Sequence, residues 1–224
     1  MEYENAKSRS IQIPVDRGVM SADLSVPDEC TGIVVFAHGS GSSRRSPRNR
    51  QVASKLVTAS LATLLADLLT AEEAATDEHT AHIRFDINLL AERVIAVLDW
   101  VAGQDQLQGL PVGLFGASTG AAAALVAAAE RPSQVSAVVS RGGRPDLAAG
   151  SLRSVRAPTL LIVGGNDVEV LEMNRFALAK LTSEARLEVV PRATHLFEEP
   201  GALEQVTALA QEWFRSHFTV TSTH

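Results

Sequence analysis

Cysteine is almost missing from this chain. Cys30 is the only one in 224 residues, which excludes an internal disulfide and fits a reducing compartment. Aromatic residues make up 4%, and two tryptophans with one tyrosine leave few anchors for a large ligand. There is no basic excess: Lys+Arg 20 against Asp+Glu 26 leaves a net charge of -6, which attracts neither nucleic acid nor an anionic membrane. The N-terminal "MEYENAKSRS" has no apolar core, so no signal peptide is expected. The longest apolar runs, "LATLLADLL" and "AAAALVAAA", fall short of the about 20 residues a membrane helix needs. These absences predict a cytoplasmic protein with neither nucleic-acid nor membrane partners. His79 and His82 have no cysteine or third ligand close by, which argues against a metal site.

What is present is apolar and periodic. With 46% hydrophobic residues the chain can bury one sizeable core, and a single domain over 1–224 is expected, with 1–9 and 219–224 frayed. "IQIPV" and "GVMSADLSVP" alternate in polarity, as a hairpin at a sheet edge does. "GIVVFAHG", "LATLLADLL", "VGLFGAS", "VSAVVSR" and "TLLIVGGND" are continuous apolar runs suited to strands buried on both faces. Helical patterns lie between them. Ser46 is a predicted N-cap ahead of Pro47, and Ile87, Leu90, Val94, Val97, Leu98 and Val101 share one helix face. The acidic stretch "TAEEAATDEHTAH" reads as a polar loop overhanging the sheet edge. The alternation predicts an α/β fold with a mostly parallel sheet and helices on both sides.

One junction carries the chemistry. In "GLFGASTGAAAALVAAAE" a strand runs directly into a helix, and Ser118 stands at the corner between Gly116 and Gly120. Such a turn strains its central residue and brings strand and helix so close that side chains two positions either side would collide. Ser118 is left at the carboxyl edge of the sheet, facing the amides and positive dipole end of the helix. The Thr119 amide is placed to receive an oxyanion, and the Ser40 amide in "FAHGSGSS" is the expected second donor.

Serine needs a base, and the base needs an orienting acid. Asp167 follows the strand "TLLIVGG", and His195 follows "LEVVP" in the same way, so both are predicted at the carboxyl edge with Ser118. Asp146 in "SRGGRPDLA" is a rival for the acid, because some triads of this architecture take it from that position. His38 ends a strand and is read as bracing the loop after it. Arg44, Arg45, Arg48 and Arg50 form the one dense basic cluster, which is either a solvated helix start or an anion-recognition patch. Arg141 and Arg144 could add to it. Arg44, Arg45 and Arg141 are the candidate contacts to a substrate anion.

From "GIVVFAHGSGSS" through "GASTG" and "GGND" to "ATHLF", the chain resembles the α/β hydrolases, in particular the dienelactone-hydrolase-like branch. The resemblance implies an eight-stranded, mostly parallel sheet and a triad of Ser118, Asp167 and His195. Dienelactone hydrolase carries cysteine at the corner, so Ser118 points to an ordinary carboxylic esterase acting through an acyl-enzyme, with no cofactor and no metal. The same residues would serve a thioesterase, a lactonase or an acyltransferase. A silent hydrolase-like binding module would be expected to lack a triad member, and none is missing. The short connection from Arg141 to Thr159 leaves no room for a lid domain, which suits a small-molecule ester. Homodimers are common on this scaffold, so a homodimer is compatible with the sequence.

Overall fold

The computed structural model describes residues 6–218. Eight strands form one sheet in the order β1-β2-β4-β3-β5-β6-β7-β8. They are β1 (Ala6–Val15), β2 (Gly18–Pro27), β3 (Ile33–Ala37), β4 (Ala62–Ala66), β5 (Val112–Ala117), β6 (Ala137–Arg141), β7 (Thr159–Gly164) and β8 (Ala185–Val190). The hairpin β1–β2 is antiparallel, and β2 joins β4 antiparallel. Every later pairing is parallel. The first strand begins at Ala6, so residues 6–9 are paired with β2 rather than frayed. Residues 1–5 and 219–224 lie outside the described residues.

Among the described residues, six α-helices cover the sheet: α1 (Pro47–Thr58), α2 (Ala71–Thr80), α3 (Ile87–Ala102), α4 (Thr119–Glu130), α5 (Val168–Leu178) and α6 (Ala202–His217). Successive strand residues point to opposite faces, so each central strand feeds two cores. Ile33, Val35 and Leu114 pack with Leu90 and Val94 of α3 and with the alanines of α4. Val34, Phe36 and Phe115 pack on the other side with Leu56 of α1 and Val206 and Phe214 of α6. Every residue of α4 from Thr119 to Ala128 is buried. Its small side chains let β5 and α3 approach closely while the segment keeps high helix propensity. The predicted cap of α1 is present, with Ser46 Oγ accepting from the Asn49 amide at 3.3 Å.

The acidic stretch is not a loop. It folds as α2, started by a capping box in which Thr70 and Glu73 satisfy each other's backbone amides. Two of its acids are partnered: Glu73 pairs with the buried Arg93 of α3 at 2.6 Å, and buried Asp77 accepts from the Ile83 and Arg84 amides. No lid interrupts the fold, since the connection from β6 to β7 holds only two single 3-10 turns, Pro145–Ala148 and Leu152–Ser154. Among the described residues, no helix is long and apolar enough to cross a membrane.

Candidate active site

The chain runs from β3 outward to β4, then returns to place β5 on β3's other side. That reversal opens a crevice at the carboxyl ends of β3 and β5, where open α/β sheets bind ligands. Ser118 sits there with φ 51° and ψ -121°, a left-handed backbone that a non-glycine residue adopts only when its surroundings hold it. The holding groups are visible. The Ser118 amide donates to the Arg141 carbonyl at 3.3 Å, and the Ser118 carbonyl accepts from the Ala121 and Arg144 amides, each at 3.1 Å. A side chain at Gly116 would strike the backbone of Ala121, and one at Gly120 would strike the carbonyls of Ala37 and His38. The two glycines are required by close approach, as the corner motif predicts.

His195 and Asp167 meet across the next crevice. His195 Nδ1 lies 2.6 Å from Asp167 Oδ2. Their loops are tied together before the side chains touch: the Asn166 amide donates to the Ala193 carbonyl at 2.9 Å, and Asn166 Nδ2 donates to the Arg192 carbonyl at 2.9 Å. Glu199 holds the residue before the histidine, accepting from both the amide and the hydroxyl of Thr194 at 3.0 and 2.7 Å. The rival acid, Asp146, is taken by Arg144 through two bonds of 2.9 and 2.8 Å and does not contact His195. Ser118 and His195 line one cavity of about 270 Å³. No hydrogen bond joins their side chains in this structure, and catalytic bonds of this kind commonly tighten only when substrate is present.

The amides differ from expectation at one point. Thr119 begins α4, where the first backbone N–H groups have no intrahelical acceptor. The Ser40 amide, in contrast, donates to Thr119 Oγ1 at 2.8 Å. It is occupied by that residue's hydroxyl instead of being open to a substrate oxygen.

His38 braces this loop from below. The Leu68 amide donates to His38 Nε2 at 3.0 Å, so Nδ1 carries the proton and donates to the Gly39 carbonyl at 2.9 Å. Burial lowers the imidazole pKa below its ordinary 6.5, outweighing the Gly39 bond and the Asp67 charge, which both raise it. The native state therefore holds neutral His38, while the unfolded chain takes up a proton first as pH falls. This contribution to stability is complete above about pH 6.5 and is lost as pH drops toward the lower folded value. The Tm of His38→Gln, followed from neutral to mildly acidic pH, should fall less steeply than that of the wild type. Parallel profiles would show that His38 is not the group responsible.

The arginines sort differently from the sequence cluster. Arg44 is committed to Asp67 and, at 3.5 Å, to Asp23, and Arg50 also pairs with Asp23. Arg45 is exposed and does not line the Ser118 cavity. The cavity's arginines are Arg141 and Arg48, with Asn49 beside them. Arg141 was among the candidates; Asn49 carried no sequence signal beyond its helix. Arg141 follows from sheet register, because β6 pairs it with Ala117, the neighbour of Ser118. Burial, and then the positive charge of Arg48, pull its pKa below the usual guanidinium range, to about 10. Among the described residues, no group of three or more His, Cys, Asp or Glu side chains is arranged to hold a metal.

A mostly parallel eight-stranded sheet, with a serine on a strained strand-to-helix corner and a carboxylate-bound histidine at the same edge, defines an α/β hydrolase. The family model for dienelactone hydrolases matches residues 20–220. This chain belongs to the dienelactone hydrolase family. It is 56% identical to a dienelactone hydrolase from Anabaena variabilis of known structure, over 96% of this chain and 100% of that one, with a TM-score of 0.94. Est1E from Butyrivibrio proteoclasticus shares the fold at 16% identity and TM-score 0.79, over 93% of this chain and 98% of its own. A Mycobacterium tuberculosis protein named "Putative phosphoribosyl transferase" is 57% identical over 211 residues, which are 94% of this chain and 47% of the relative. The chain thus spans about half the length of the curated relatives it matches.

Proposed function

We propose that this hydrolase cleaves small carboxylic esters through an acyl-enzyme, with Ser118 as nucleophile, His195 as base and Asp167 as the acid that orients it. The observation that carries the reading is the 2.6 Å contact between His195 Nδ1 and Asp167 Oδ2 in a histidine that shares a cavity with Ser118. Asp167 accepts the Nδ1 proton, which leaves Nε2 as the free basic nitrogen. His195 Nε2 takes the Ser118 hydroxyl proton while Oγ bonds to the acyl carbon. The Thr119 amide receives the oxyanion, and the Ser40 amide becomes the second donor by exchanging the Thr119 hydroxyl for the substrate oxygen. The C–O bond to the alcohol then breaks, and His195 returns the proton to that oxygen. Water, deprotonated by His195, attacks the acyl-serine, releases the carboxylic acid and restores Ser118. No metal or cofactor enters this sequence. We place the reaction in the cytoplasm, on one catalytic unit.

The name "Putative phosphoribosyl transferase" describes relatives of which only 47% is matched, and the parts around Ser118 are those of acyl transfer. A fluorophosphonate probe tests the reading without a chosen substrate. Mass spectrometry should find the adduct on Ser118 in wild type, with none in Ser118→Ala and strongly slowed labelling in His195→Ala. Folded protein that stays unlabelled would remove the activated serine and leave a binding module.

A further inference from the structure

Arg141 presents an unusual charge balance. It is only 7% exposed, and among the described residues its buried Nε has no partner. Its one side-chain hydrogen bond runs from Nη2 to the neutral Asn49 Oδ1 at a long 3.4 Å, and its guanidinium lies 5.9 Å from the Phe197 ring centroid. Among the described residues, no carboxylate lines the cavity it shares with Ser118 and His195, and the other cation there is Arg48. Arg48 pairs with the exposed Glu198 at 3.2 Å. Arg93, Arg44 and Arg48 also bury an Nε without a hydrogen bond, but each has a carboxylate on its terminal nitrogens, Glu73, Asp67 and Glu198 in turn, and Arg84 has Asp77. A buried charge without a counter-charge is strongly destabilising, so its retention beside Ser118 calls for an anion supplied from outside.

We infer that Arg141, assisted by Arg48, binds an anionic group of the ester substrate, a carboxylate or a phosphate held within a small molecule's reach of the carbonyl that Ser118 attacks. This inference rests on the ester-hydrolase reading for its substrate, although the anion site itself does not depend on catalysis. Sheet register fixes the Arg141 backbone beside Ala117, one residue from the corner, and Asn49 and the Phe197 ring flank its guanidinium, so the anion and the scissile carbonyl would be oriented together.

Two arms test it. In the kinetic arm, 4-nitrophenyl hemisuccinate is compared with the neutral 4-nitrophenyl butyrate. Arg141→Met should lower the ratio of their kcat/KM values by about 10- to 100-fold, the factor that hydrogen bonds to a charged group supply. Arg141→Lys should restore part of that ratio. Equal losses on both esters would overturn the inference. In the binding arm, succinate and inorganic phosphate are titrated separately in low salt. At least one should raise the wild-type Tm, and should do so much less with Arg141→Met; an effect of only one anion identifies the group preferred. No shift with either anion would overturn the inference even if the variant failed to fold. If wild type cleaves neither ester yet gains Arg141-dependent stability, the hydrolase reading fails while the anion site stands.

Discussion

Replacing Ser118 with alanine is expected to cut kcat on any ester substrate by about 10⁴- to 10⁶-fold, and His195→Ala should do nearly as much. The two losses should not add, since the proton that His195 accepts is the one that Ser118 gives up. The double variant should therefore resemble either single one. Alanine suits the test because it keeps the Cβ that the corner already accommodates at φ 51°, so backbone strain is unchanged. Other hydroxyls line the cavity, those of Ser40, Ser42 and Ser46 among them. Ser46 is occupied in capping α1, and among the described residues none of the three is hydrogen-bonded to a histidine. Full kinetics with a matched Tm would check the result. Activity above about one per cent of wild type would mean that another group attacks, because triad knockouts elsewhere fall far below that level.

Asp167→Asn should lower kcat by about 10⁴-fold, while Asp146→Asn should leave it within about threefold. An asparagine amide at position 167 can donate to His195, which would draw the proton from Nδ1 to Nε2 and leave no basic nitrogen facing Ser118. The geometry would survive and the tautomer would be wrong. Asp146 is partnered by Arg144, and both side chains are partly exposed, at 26% and 35%. Losing that pair should cost at most about 1 kcal/mol of stability. Single-turnover and steady-state rates for both variants separate the acids directly. A large loss in Asp146→Asn with an active Asp167→Asn would reverse the assignment.

The parts of this protein legible from sequence share a short range. A strand reads as a run of apolar, β-branched residues, and a helix as a repeat of three to four positions. The corner at Ser118 is steric within five residues, so Gly116 and Gly120 announce it. The Ser46 cap spans three positions, and it appears as expected. The acidic α2 was harder to see. Its capping box is local and readable, yet its charges suggest solvent, and what anchors it is Arg93, twenty positions further on.

Composition and local pattern determined the alternation of strands and helices, the strained corner and the order Ser118, Asp167, His195. Only the tertiary structure shows that Asp167 meets His195 while Asp146 meets Arg144, because the first contact depends on Asn166 stitching two loops from neighbouring strands. It also decided which arginine faces Ser118. Arg44 is captured by Asp23 and Asp67, while Arg141 is brought to Asn49 across 92 positions of sequence and finds no acid there. The Ser40 amide meets Thr119 across 79 positions. Steric and capping rules act over three or four residues and can be read in a line. Charge pairing and hydrogen-bond competition are settled by whichever partners the sheet order brings together, and that order comes from burying two cores at once.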